Sequence, residues 1–139
     1  MIYLIDTNVL SELPKRRPDP AVIDWFAAQT SLALSAVTLE ELTYGIARAR
    51  PEQAQRLERW LQKLLTIPPV IVPVDERVAH IAGRLRAERD RAGRAVAQAD
   101  MLIAACALLT GSVLVTRNVR DFEGCGVPVL NPFSTKATD

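Results

Sequence analysis

Ile2 to Ile5 is a short, wholly apolar run that stops at Asp6. A strand with one wet face alternates apolar and polar residues, whereas a run that is apolar throughout has both faces covered. The run therefore predicts a buried strand of a parallel sheet with a carboxylate at its carboxyl end. Leu32 to Ser35, Val70 to Val74, Ser112 to Val115 and Val127 to Leu130 repeat the pattern, and Pro73 marks the third as an edge strand. Helical spacing fills the intervals. Asn8 to Leu13 gives a short helix closed by Pro14, and Asp19-Pro20 opens a second that runs to about Gln29 with Val22, Ile23 and Phe26 inward. Val37 or Thr38 to about Arg50 buries Leu39, Leu42 and Ile46, with Pro51 at the break; beyond it Ala54, Leu57, Leu61 and Leu64 define a fourth helix that Pro68 and Pro69 end. Asp75 to about Arg91 turns Val78, Ile81, Ala82 and Leu85 inward and stops at Gly93, and a last helix runs from about Val96 to Leu109 before Gly111. Short apolar strands alternating with helices predict an α/β fold, a parallel sheet covered on both faces.

A chain of 139 residues with 49% hydrophobic content builds one core and has no room for two. Its longest apolar run, Met101 to Leu109, is far shorter than the roughly 20 residues that span a bilayer. Asp6 also cuts off the N-terminal apolar stretch before a secretory core forms, so a cytoplasmic location is expected. Cys106 reads as a small core residue, and with Cys125 the only other thiol a structural zinc site lacks ligands. The net charge of +1 argues against bulk electrostatic coating of a polyanion. Fourteen of the 17 basic residues are arginine, whose planar fork suits phosphate. Arg84, Arg86, Arg89, Arg91 and Arg94 read equally well as the solvated face and end of one helix, interleaved with Glu88 and Asp90.

In an open parallel sheet, ligands bind outside the carboxyl ends of the strands. Asp6 follows the first strand, Glu40 and Glu41 lie one turn into the helix after the second, Asn118 and Asp121 follow the fourth, and Asp100 opens the last helix. Carboxylates brought together repel and raise one another's pKa unless a cation joins them. Hard oxygen donors without thiolate or imidazole specify Mg2+ or Mn2+, and the chemistry of such a site is hydrolysis of a phosphodiester by a metal-activated water. The single histidine, His80, sits mid-helix between Val78 and Ile81 and reads as structural, so a two-histidine ribonuclease cannot be built.

Four segments in order resemble the motifs of the PIN-domain ribonucleases, closest to the VapC/FitB-like branch. They are Leu4-Ile5-Asp6-Thr7-Asn8; Ser35 to Leu42 with Tyr44-Gly45-Ile46; Asp100 to Ala105; and Leu114 to Phe122. The resemblance implies a three-layer α/β/α sandwich on a central five-stranded parallel sheet, one PIN domain over residues 1–133 with a disordered tail at 134–139. It further implies an RNA substrate, a Mg2+ site and a small VapB/FitA-like antitoxin that alone contacts operator DNA. Carried over by residue, it makes Asp6 and Asp100 the metal-binding aspartates and Glu41 the helix-borne glutamate, with Glu40 on the surface. Relatives carry their fourth acid two residues after the strand-end threonine, where this chain has Asn118; either Asp121 takes the role, the preferred reading, or Asn118 supplies a neutral oxygen. Thr7 and Asn8 are supporting residues, and Thr116 either positions water or phosphate or caps the strand end. An alternative function follows from the displaced fourth acid: a catalytically weak PIN-fold partner of a DNA-binding antitoxin, acting in transcriptional regulation.

Receiver and phosphatase folds with strand-end acids fit less well. The first needs a late lysine, absent between Lys63 and Lys136, and the second an acid where Asn8 stands. The exposed-looking aromatics Tyr44 and Trp60 predict a homodimer through the helices at 37–50 and 52–66, assembling with antitoxin into a heterotetramer or larger; the other reading of Trp60 is packing beside Leu57 and Leu64.

Overall fold

A computed structural model describes residues 2–66 and 69–134. Its strands are β1 (Tyr3–Ile5), β2 (Leu32–Ser35), β3 (Val70–Val72), β4 (Val113–Val115) and β5 (Val129–Leu130), all parallel, in the order β3-β2-β1-β4-β5. β1 is central because Leu4 pairs with Ala33 on one side and Leu114 on the other. β3 is an edge, as Pro73 requires; the strand ends at Val72, one residue before that proline.

The wholly apolar strands feed two separate cores. Leu4, Ala33 and Leu114 face a cluster built with α5 (Glu76–Arg91) and α6 (Gln98–Thr110). Their neighbours Ile5, Leu34 and Val115 face the opposite cluster, with α1 (Thr7–Leu10), α2 (Pro20–Ala27), α3 (Ala36–Ala47) and α4 (Pro51–Thr66). Period-two alternation thus sends successive residues to opposite layers. The result is the expected three-layer α/β/α sandwich on a five-stranded parallel sheet.

Caps set the helix limits. Asp6, Asp19, Ser35 and Asp75 each accept a backbone N–H at the start of α1, α2, α3 and α5, and Gly111, at φ 65°, closes α6 in the left-handed region that side chains disfavour. Several expected elements are shortened: α1 gives way to turns after Leu10, α3 ends at Ala47, and β4 and β5 begin later than their apolar runs. Between those two strands lies a 3-10 turn, Val119–Phe122, whose Phe122 is buried. On α2, Ile23 is exposed, and Trp25 takes the inner position instead, edge-on to Tyr3 with centroids 5.2 Å apart. Trp60 packs on the second cluster, as its packing reading has it. Ser134 donates its N–H to Asp19 Oδ2 at 2.8 Å, so order extends one residue past the expected boundary; Pro68 and the rest of the expected tail, 135–139, lie outside the described residues.

Among the described residues no helix is long and apolar enough to cross a membrane. The burial pattern makes a contrast testable by urea denaturation. Leu4→Ala, in the closed core, costs about 2–5 kcal/mol, whereas Ile23→Ala costs under about 0.5 kcal/mol; equal losses would mean that α2 presents the face expected from sequence.

Candidate active site

Asp6 leaves β1 at the point where the sheet's winding reverses, between β1 and β4, which is where open α/β sheets hold their ligands. It is only 4% exposed. A carboxylate buried that far is expelled unless it is met by donors. Its Oδ1 accepts the Thr7 N–H at 2.8 Å, and its Oδ2 accepts the Thr116 hydroxyl at 2.8 Å and the Asn8 side-chain amide at 3.2 Å.

Those donors are themselves fixed. Thr116, fully buried after β4, accepts the Asn118 N–H at 3.0 Å and the Asn8 amide at 3.3 Å, while Asn8 Oδ1 accepts the Arg117 N–H at 3.1 Å. Thr116 thus acts as a strand-end cap, its proton committed to Asp6. Asn8 ties the first strand's end to the fourth's. Thr7 reaches the other way: its hydroxyl donates to Glu41 Oε1 at 2.6 Å and lies 3.2 Å from the Thr38 hydroxyl. Glu41 is half-buried in α3 and Glu40 is exposed, as their positions on the helix predict.

Asp100 lies in the first turn of α6, whose N-cap is Ala97 and offers no side-chain cap. Among the described residues its carboxylate accepts no hydrogen bond. Its pKa is raised to about 6, first by burial and then by the negative charges of Asp6, Asp121 and Glu41. Asp6 is also raised, chiefly by burial, with Glu41 adding to it and the bonds from Thr116, Thr7 and Asn8 opposing it. Asp100 thus feels the charges of Asp6, Glu41 and Asp121, the last from the 3-10 turn, and Asp6 feels that of Glu41. Asn118 contributes a backbone N–H to Thr116.

The donors that converge are carboxylate oxygens. His80 is exposed on α5, away from both core and site, and the buried thiols of Cys106 and Cys125 contact Ser35 Oγ and Met101 Sδ. No group of three or more acid, histidine or cysteine side chains among the described residues stands ready to enclose an ion. Two carboxylates suffice for Mg2+, which keeps several waters and is usually bound through one or two acids. Asp100, whose carboxylate accepts no hydrogen bond among the described residues, and Asp6, whose charge bears on it, fit that requirement.

Two buried charges were missed in the sequence. Glu12, expected at the end of a helix, is buried in the following turn, where it accepts Lys15 Nζ at 2.8 Å and the Asp19 N–H at 2.8 Å. Arg89, expected on a solvated face, is buried too: it continues the inward stripe Val78, Ala82, Leu85 at helical spacing, and that spacing was the available signal. Its Nη2 donates to the Asp121 carbonyl at 3.4 Å.

A family model described as the PIN domain matches residues 3–124. The chain belongs to the PIN-domain family. This PIN domain is 35% identical to a protein of Sinorhizobium fredii named VapC ribonuclease Y4jK, over 95% of this chain and 98% of that one. It is 33% identical to Toxin FitB of Neisseria gonorrhoeae, over 95% and 99%. Among solved structures it superposes on FitAcB from Neisseria gonorrhoeae with a TM-score of 0.85 at 34% identity, covering 95% of this chain and 98% of that one. The fold and the VapC/FitB-like resemblance read from sequence are both upheld.

An acid whose pKa is higher in the folded chain keeps a proton that the unfolded chain has already released. Between pH 3.8 and about 6 the folded PIN domain therefore binds the extra Asp100 proton, and its stability falls as pH rises through that window. Metal-free protein is expected to melt higher at about pH 5 than at about pH 7.5, with the difference reduced in Asp100→Asn. Identical pH slopes for the two proteins would show that Asp100 titrates as a solvated acid.

Proposed function

We propose that this chain is a metal-dependent endoribonuclease, the toxin of a type II toxin-antitoxin pair, acting on RNA in the cytoplasm. The observation that carries the reading is the convergence of Asp6, Glu41, Asp100 and Asp121 at the sheet's reversal point, in a fold whose relatives include a named ribonuclease and a named toxin. Acids gathered at the sheet's reversal point repel RNA unless a cation intervenes. Mg2+, or Mn2+ in its place, would be held by Asp6 and Asp100, and when bound it supplies an activated water and neutralises charge on the scissile phosphate. The chain's own residues do the rest. Thr116 and Asn8 hold the Asp6 carboxylate in one orientation, and Thr7 does the same for Glu41. Burial and the neighbouring acids disfavour the anionic form of Asp100, and a cation there would stabilise it.

The alternative of a catalytically weak partner protein rested on a displaced fourth acid. It stands as the second reading; the charge of Asp121, which bears on Asp100 from the 3-10 turn, favours the nuclease. The partner proposed for the toxin is a small VapB/FitA-like antitoxin, with operator DNA reached only through it. A basic side chain from that partner would find four acids to satisfy. Purified protein is expected to cleave single-stranded RNA with Mg2+ or Mn2+ and to be silent in EDTA. Asp6→Asn and Asp100→Asn should each lower cleavage by roughly 100-fold or more while leaving the fold intact by circular dichroism; cleavage that persists in chelator overturns the proposal.

The proposal includes a homodimer through α3 and α4. Tyr44 is 60% exposed there, with the Arg48 guanidinium 5.4 Å from its ring centroid. Sedimentation at micromolar concentration should give a dimer mass that Tyr44→Asp reduces to the monomer's, and a monomeric parent protein would exclude this interface.

A further inference from the structure

Arg89 is 7% exposed, its Nε has no hydrogen-bond partner, and no carboxylate lies within ion-pair reach of it among the described residues. A buried, unpaired guanidinium is a costly way to fill a core position, since an apolar side chain of similar size is often as good or better. On α5 the cost would vanish if the arginine stood one position further round the helix. What the buried position provides is a grip on one segment.

Nη2 of Arg89 donates to the carbonyl of Asp121 at 3.4 Å. Just past the end of α5, Arg94 Nη2 donates to the carbonyl of Arg120 at 2.9 Å. Two successive carbonyls of the 3-10 turn are thus taken by two arginines from one end of one helix. Gly124 completes the contact: at φ 81° its backbone comes so close that an added Cβ would stand 3.0 Å from Arg89 Nη1. Phe122, 1% exposed in the α5–α6 core, pins the turn beside them. Backbone bonds tie the turn to its flanks, Asp121 N–H to Asn118 O at 3.1 Å, Glu123 N–H to Arg120 O at 3.3 Å and Cys125 N–H to Phe122 O at 3.2 Å. It reaches the acid group through the side chain of Asp121 and, at its N-cap, through the Asn118 N–H on Thr116, the donor to Asp6.

We propose that Arg89, assisted by Arg94, is a positioning residue: it fixes the Val119–Phe122 turn so that Asp121 stands with Asp6 and Asp100. The proposal rests on reading the acid group as the nuclease site. Its effect on the turn does not, and the two can be measured separately. Arg89→Met keeps the aliphatic stem and removes the guanidinium. Amide hydrogen exchange across residues 119–125 should then quicken about tenfold, and kcat for RNA cleavage should fall roughly 10- to 100-fold with KM changed less than about threefold. The melting temperature should stay level or rise, because a buried charge has gone. Arg89→Lys should restore part of the protection and part of kcat.

Exchange and kcat equal to the parent protein's in Arg89→Met would overturn the proposal and leave Arg89 as packing alone. Should the parent protein prove unable to cleave RNA, the nuclease reading falls, and the exchange measurement still decides whether Arg89 holds the turn. Arg94→Gln, at an exposed position that folding tolerates, carries the same expectation with smaller amplitude. If Arg89→Met does not fold, unchanged exchange in Arg94→Gln overturns the proposal.

Discussion

Like charge gathered at the edge of a sheet is the constraint around which this molecule is arranged. Four carboxylates share that edge, and they are treated differently. Asp6 is nearly sealed from water and receives three donors, each charge-assisted bond contributing on the order of 1.5–3 kcal/mol. Its geometry is fixed before anything binds. Asp100 receives no such bond, and burial first and the neighbouring negative charges second raise its pKa to about 6. One acid is committed to the scaffold and the other is left to a ligand. A cation held between them, as proposed, would meet one carboxylate already fixed by donors and one without them.

The division depends on topology. Because β1 pairs with β2 on one side and β4 on the other, the segments leaving β1 and β4 diverge to opposite faces and open a cleft at their carboxyl ends. The Asp6–Thr116 bond spans 110 residues of sequence and closes the floor of that cleft. Asn8 makes the same link through the backbone of Arg117. A two-sided core beneath leaves β1 no freedom to shift register, since a one-residue slip would exchange Leu4 and Ile5 between the layers. The packing of the apolar run therefore sets where the first carboxylate stands.

Much of this was legible in the sequence because it is encoded locally. An apolar run that ends at an acid states both a buried strand and a strand-end carboxylate, and the spacing of Val37, Glu41 and Gly45 puts the glutamate on the face away from Glu40. Departures arise where tertiary context overrides a local rule. Ile23 is apolar and sits at helical spacing, yet Trp25 offers more area and an edge-on partner in Tyr3. Spacing alone did not separate Asn118 from Asp121; Asp121 lies in a 3-10 turn from which its charge reaches Asp100, and it stays the residue proposed for the site. Glu12 and Arg89 were hidden by their charge. In a run of alternating sign, polarity reads as solvation, and the helical stripe through Val78, Ala82 and Leu85 was the only mark that Arg89 lay inside.

A buried cation is destabilising alone, and here it stands on one side of a short turn whose other side faces the acids. Asp121 offers its carboxylate to the cleft and its carbonyl to Arg89. A mobile cation compensates the cleft only while it is bound, and in its absence repulsion would push the Asp121 side chain outward and the turn with it. An arginine cannot dissociate. Held by the α5 core behind the turn, it resists that displacement whether or not the cleft is occupied, so the site meets its ligand with the geometry already in place. Preorganisation of this kind costs folding stability permanently in return for avoiding a rearrangement at each encounter. That exchange is the reason proposed for keeping a guanidinium with an unpartnered Nε in the core.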